Sequence, residues 1–224
     1  LLSKGAKYVN PSRRGAELIK YASNAFLATK ITFINELANL SEKIGVNIED
    51  ISIGMGLDKR IGGRFLRAGP AYGGSCFPKD TRAIVDTAKE FKTDLTIIKN
   101  VIISNKNRSK ILLNRVSKLL KNKIKNKKIT FLGVTFKANT DDMRESSSLT
   151  MIPSLVSKGA KIKYYDPSGY KKVFDKFKNV SFSENIKLAC SDADMIIIHT
   201  EWNDFKSLNF KILSKNKNVI IYDM

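Results

Sequence analysis

The period of the apolar residues changes once along this chain, near Lys128, and that change limits the folds open to it. Upstream, apolar side chains recur at Leu18, Ala22, Ala25, Phe26, Phe33, Leu37 and Leu40, a spacing that gathers them along a helix. Pro11-Ser12 opens this helix and Gly45 ends it, because glycine takes the left-handed conformation freely. Asn47 is placed to cap a short helix over 48–55. A further helix is expected from an Asp80 cap to Phe91, and another from just after Asp94 to about Leu120. Between Gly56 and Asp80 no period holds, and the glycines with Pro70 and Pro78 read as an ordered loop.

Downstream, short apolar runs alternate with helical stretches. Strands are expected over 128–133, 161–165, near Val180, and over 195–199 and 219–222. Helices are expected over 147–158, with Pro153 inside and Gly159 as its stop, over 168–177, over 184–189, and between the last two strands. Such alternation implies parallel pairing through crossovers, hence an open α/β sheet. The chain therefore divides into a helical part, about 11–120, and an α/β part, about 128–224. It has no internal repeat. No apolar run approaches the roughly 18–20 residues of a membrane helix, and the first residues do not form a secretory leader.

A formal charge of +19 allows two readings: an anionic partner, or lysines filling solvated faces. The lysines between 118 and 128 and between 211 and 217 are interleaved with Asn rather than with the aromatics a base-stacking surface needs, which favours solvated faces. Two distant cysteines, Cys76 and Cys190, imply no disulfide framework and fit a reducing cytoplasm. One histidine, His199, cannot make a clustered metal site and is expected to pack at a strand end.

The chemistry concentrates in Gly73-Gly74-Ser75-Cys76-Phe77-Pro78-Lys79-Asp80. The glycines allow positive φ and close approach of a ligand. A helix N-terminus and a neighbouring Lys favour thiolate over thiol, so Cys76 is a candidate nucleophile. Cys190, on an apolar helix, reads as core. Lys20 and Asn24, four apart, share a helix face. After the first strand, Gly133-Val134-Thr135-Phe136-Lys137 lacks the second and third glycines of a dinucleotide fingerprint, so a pyrophosphate cannot lie close against it.

This octapeptide resembles the thiol loop of the UDP-glucose/GDP-mannose dehydrogenase family. The likeness extends over 16–26, over Asp58-Lys59-Arg60-Ile61-Gly62, over Phe65-Leu66-Arg67-Ala68-Gly69, over 136–146, and over Ile198-His199-Thr200-Glu201-Trp202. It implies a helical central dimerisation domain at 11–127, a Rossmann-like UDP-binding domain at 128–224, and residues 1–10 as the tail of an N-terminal NAD-binding domain absent from this chain. It also implies an NAD-dependent double oxidation of a UDP-glucose C6 alcohol to the carboxylate of UDP-glucuronate, through a thiohemiacetal and a thioester on Cys76.

By the same resemblance Lys20 and Asn24 hold the C6 oxygen or a water, and Asp80 orients or deprotonates the hydrolytic water. Phe65, Leu66, Arg67, Ala68, Gly69 and Gly73 cover the nucleotide sugar, and Lys137 contacts it. Lys79 and Arg144 face NAD, and Arg60 reaches across a homodimer formed through the long first helix. A piece of this kind is expected not to turn over alone. GDP-mannose and UDP-N-acetylmannosamine are the alternative substrates; the run through Thr81 and the Asp58–Gly62 segment lean to UDP-glucose. Outside the family, the alternatives are a basic nucleic-acid-binding protein and a non-catalytic dimerisation scaffold.

Overall fold

The first helix, α1 (Arg13–Ile44), runs for 32 residues, about 48 Å. The Ser12 hydroxyl accepts from the Gly15 amide at its start, and Gly45 ends it at φ 74° with its N–H on the Ser41 carbonyl. The computed structural model describes residues 8–224, so the expectation for the tail at 1–10 lies mostly outside the described residues. Asn47 caps α2 (Ile48–Gly56) through the Glu49 amide. Helices α3 (Cys76–Glu90) and α4 (Thr96–Leu119) then pack on α1. The small residues Ala25 and Ala28 are fully covered there, which lets the helices approach closely.

The α/β part is a five-stranded parallel sheet of order β3-β2-β1-β4-β5, built from β1 (Lys128–Leu132), β2 (Lys161–Tyr165), β3 (Val180–Phe182), β4 (Met195–Ile198) and β5 (Ile220–Asp223). Helix α5 (Ser148–Ser157) carries Pro153 inside it. Successive strand residues face opposite layers. Ile129, Phe131, Ile162, Tyr164, Met195 and Ile197 join one core with α5 and with Leu112, Leu113 and Val116 of α4. Leu132 and Ile196 join a second core with Cys190, Trp202 and Phe205, under α6 (Ile186–Cys190) and α7 (Asn203–Lys206). Both faces are covered, as a parallel sheet requires.

Two expectations need correction. The stretch over 168–177 forms only a 3-10 turn at Lys172–Phe174, and the single helix between the last strands is two short ones, α7 and α8 (Phe210–Leu213). Helix α4 belongs to both parts of the molecule. Its Val101 packs among the helices while its Val116 packs under the sheet. One rigid rod therefore fixes the helical part relative to the sheet.

Candidate active site

Helix α3 begins at Cys76, not at Asp80 as its polar side chain suggested. Its N-cap, Ser75, makes no side-chain cap bond. Pro78 falls in the first turn, where its missing N–H costs nothing. Cys76 is exposed. The loop before it is held by the second part of the chain: the Gly74 amide donates to the Arg144 carbonyl at 2.7 Å. Gly74 has φ 75°, and a Cβ there would lie 2.6 Å from the Phe136 ring. A Cβ on Gly73 would lie 2.7 Å from the Glu145 carbonyl. Both glycines are therefore needed for close backbone approach between the two halves.

Asp80 lies one turn beyond Cys76 and is 0% exposed. The Asn24 amide donates to its Oδ2 at 2.6 Å, and Lys79 Nζ donates to its Oδ1 at 2.5 Å. Lys20 Nζ lies 3.8 Å from Oδ2. Burial pushes this carboxyl up, but the bonds from Lys79 and Asn24 and the charges of Lys79 and Lys20 outweigh it and leave the group below its ordinary range. The bond to Asp80 in turn holds Lys79 more firmly protonated. Three of the four expected catalytic residues, Lys20, Asn24 and Asp80, thus meet beside the fourth. Asp80 is sealed from solvent, and its side-chain contacts are with Lys20, Asn24 and Lys79.

The 58–73 loop follows. Arg60 forks onto its neighbour Asp58, at 2.6 Å from Nη2 to Oδ2, and the structure gives it no bond to the thiol site. Lys30 anchors the segment to α1 through the Ile61 and Gly62 carbonyls, at 2.9 Å each. Phe65, at φ 65°, sets its ring edge-on to Phe77, beside Cys76. Leu66 is buried; Ala68 and Gly69 are half-buried. Arg67 crosses to Glu201, just after β4, at 2.6 Å.

From the sheet side, Arg144 forks onto Asp142 and Lys137 is exposed, its Nζ 5.5 Å from the Phe136 ring centroid. The Asp142 bond is the main cause that holds Arg144 protonated. Two exposed cations thus belong to this part of the molecule: Lys79, three residues after Cys76, and Arg144, whose carbonyl takes the Gly74 amide. At the switch point between β1 and β4, where such sheets bind dinucleotides, the crevice is filled from within. Asp166 Oδ2 takes the Val134 and Thr135 amides at 2.7 and 3.3 Å. A Cβ on Gly133 would strike the Thr200 side chain at 2.4 Å.

Residues 14–107 match the model of the UDP-glucose/GDP-mannose dehydrogenase family, central domain, and residues 130–224 match that family's UDP binding domain. A UDP-glucose 6-dehydrogenase of Rhizobium meliloti is 44% identical over 95% of this chain and 49% of its own length. One from Rickettsia bellii is 46% identical over the whole of this chain and 52% of its own. The solved structure of a UDP-glucose dehydrogenase from Pyrobaculum islandicum superposes with a TM-score of 0.83 at 32% identity, covering 94% of this chain and 51% of that one.

The chain belongs to the UDP-glucose/GDP-mannose dehydrogenase family. It spans about half the length of the curated relatives it matches. Within this family member, Asn35, Asn105, Arg108 and Asp166 were not singled out from sequence. All four bind backbone of the loops that carry the motifs. The only signal for them is a polar residue on an otherwise apolar helix face, or an Asp at a strand end before Pro. Among the described residues no group of three or more His, Cys, Asp or Glu could hold a metal ion, and no helix is long and apolar enough to cross a membrane.

Proposed function

We propose that the protein oxidises the C6 alcohol of UDP-glucose to the carboxylate of UDP-glucuronate, with NAD as acceptor and Cys76 as covalent nucleophile. The observation that carries this reading is the exposed Cys76 thiol one turn from a sealed Asp80 that gathers Lys20, Asn24 and Lys79. The relatives' names support the substrate, and the match of 130–224 to a UDP binding domain supports the assignment of 128–224 to the nucleotide. Residues 11–127 are then the central domain.

The Gly133–Lys137 turn does not fit a dinucleotide, because its Val134 and Thr135 amides are already taken by Asp166. The exposed cations Lys79 and Arg144 do fit one, and we assign both to NAD. When bound, NAD takes up a hydride in each of two oxidations. The chain's own residues act between and after them. Lys20 and Asn24 hold the C6 oxygen as it gains charge. The Cys76 sulfur bonds to the aldehyde carbon and the oxygen takes a proton, giving a thiohemiacetal; oxidised once more, it is a thioester. Water adds to that carbonyl, the C–S bond breaks, and the thiol and the sugar acid part. Asp80 fixes Lys20 and Asn24 for each step; a carboxyl held so low is a poor proton store at neutral pH. Phe65 to Gly69, Gly73 and Lys137 cover the nucleotide sugar.

A homodimer through α1 goes with this reading. Ile19, Phe26, Phe33 and Leu40, seven apart, form an apolar stripe that stays open to solvent, Phe26 at 66%. Arg60, exposed at the end of its loop, is assigned to the partner's site. A double Phe26→Glu, Phe33→Glu variant is expected to sediment as a monomer.

Calorimetric titration tests the substrate. Saturable UDP-glucose binding that is lost in Lys137→Ala and absent for GDP-mannose supports the reading. A preference for GDP-mannose replaces the substrate and keeps the chemistry. In the protein at its encoded length, Cys76→Ser must abolish acid formation; sustained UDP-glucuronate production by that variant would remove Cys76 from the mechanism.

A further inference from the structure

The segment from Leu66 to Gly73 forms no strand or helix, yet the backbone groups of Gly69 and Tyr72 and the Leu66 carbonyl are bonded. Side chains supply the bonds. The Gly69 amide donates to Asn35 Oδ1 at 2.8 Å, and the Gly69 carbonyl accepts from Arg108 Nε at 3.0 Å. Tyr72 exchanges both of its backbone bonds with the Asn105 side chain, at 2.9 and 3.0 Å. Asn105 and Arg108 are three apart on α4 and so share a face, while Asn35 stands opposite on α1. Arg108 Nη1 ties the two helices together through the Asn35 carbonyl at 3.1 Å and Asn39 Oδ1 at 2.5 Å.

Arg108 is 4% exposed, and every acceptor it meets is neutral. Among the described residues it makes no ion pair. Burial lowers its pKa to about 10, so it stays charged at neutral pH. Glu42 acts on it only from beyond ion-pair distance, and a buried charge without a direct ion pair costs stability, where apolar packing of the same volume commonly does better. Its return is therefore sought in geometry: a planar, rigid fork that sets one carbonyl in one place.

We infer that Asn35, Asn105 and Arg108 are positioning residues, a side-chain template on α1 and α4 that holds the 66–73 loop in the shape that receives the nucleotide sugar. The inference rests on the function proposed above. With the inward groups satisfied by the template, the loop stays extended while Phe65, Arg67, Ala68 and Gly73 meet the ligand. Because α4 continues under the sheet, the template also registers this loop against the UDP-binding half.

The test uses the protein at its encoded length, with Arg108→Met, Arg108→Lys and Asn105→Ala. Leaving a buried acceptor unmade corresponds to roughly ten- to hundredfold in affinity. Arg108→Met is therefore expected to raise KM for UDP-glucose by that factor and to weaken UDP-glucose binding by calorimetry equally, with kcat within about threefold of wild type. Arg108→Lys, whose compact ammonium lacks the planar fork, recovers part of the loss. Asn105→Ala, at a half-buried position, raises KM by a smaller factor at an unchanged melting temperature, which keeps the test valid if Arg108→Met fails to fold. Unchanged KM in both Arg108→Lys and Asn105→Ala, in a wild type that turns over UDP-glucose, overturns the template alone. A wild type that binds no nucleotide sugar overturns the functional reading with it.

Discussion

Asp80 and Asp166 are both sealed from solvent, and they are held in opposite ways. Asp80 takes its partners from side chains on two helices: Asn24, Lys79 and, at longer range, Lys20. Asp166 takes them mainly from backbone, the Val134, Thr135 and Ser168 amides, with the Ser168 hydroxyl added. The first arrangement orients movable charged groups beside a thiol. The second closes a turn that, in a dinucleotide-binding sheet, would offer those amides to a pyrophosphate. One carboxylate thus builds a site and the other fills one. That difference decides what loss of charge should do at each.

The largest effect is expected at Asp80. In Asp80→Asn the amide keeps the volume but lets Lys20 and Asn24 lose their fixed geometry. A preorganised donor is worth roughly 10²–10³-fold in kcat, so a loss of that order is expected with KM within a few-fold. Full kcat in this variant would leave Asp80 no more functional than Asp166.

Next comes His199, which lies in the same filled crevice as Asp166. Its Nε2 is 2.7 Å from the Ser147 hydroxyl and its Nδ1 is 3.0 Å from the Thr200 hydroxyl. Thr200 already donates to the Thr135 carbonyl, so it must accept from Nδ1–H, and the neutral ring accepts at Nε2. Burial lowers the pKa to about 4. Between about 6.5 and 4 the unfolded chain binds a proton that the folded one refuses, so stability present above this window is lost as pH falls. The loss is at most about 1.4 kcal/mol per pH unit, roughly 3 kcal/mol in all. Asp80 loses its stabilisation in the same direction but at lower pH, as pH falls from the ordinary carboxylate range downward. Denaturant unfolding of His199→Gln should therefore flatten the profile between pH 6.5 and 4 and leave the steeper acid limb. An unchanged profile would mean that another group drives the loss.

The thiol site was far more legible in the sequence than the filled crevice, for physical reasons. Cys76, Lys79 and Asp80 are neighbours in sequence, and Lys20 and Asn24 are one turn apart, so local spacing gives each of the two groups, while only the family resemblance joins them. The strands were legible because they are buried on both faces: 195–198 reads as an unbroken apolar run, and 129–132 as one interrupted only by Thr130. The start of α3 was misplaced because Asp80 resembles a cap, and its real partners, 56 residues away on α1, leave no local trace. The crevice appeared only as missing glycines. Nothing local indicates that Asp166, 32 residues beyond Val134, supplies the anion itself. Arg108 was invisible for the same reason, since its acceptors lie 39 and 73 residues away.

Two smaller effects sharpen the comparison on the sheet side. Asp166→Asn keeps shape but weakens three amide bonds, and about 1–3 kcal/mol of stability should go with them, while activity per folded molecule holds. Lost activity at unchanged stability would make the crevice a working part of the site. The smallest effect belongs to Glu201, which pairs with Arg67 at the same edge of the sheet, with 67% and 55% of the two side chains exposed. Exposed pairs contribute roughly 0–1 kcal/mol and are screened by salt. Glu201→Gln should therefore lower stability by no more than that, and the difference from wild type should vanish at high salt. The same substitution frees Arg67, which is assigned to the nucleotide sugar, so KM for UDP-glucose should fall slightly or stay level. A rise in KM would mean that Glu201 presents Arg67 to the ligand rather than competing for it, and the ion pair would then share the building role of Asp80.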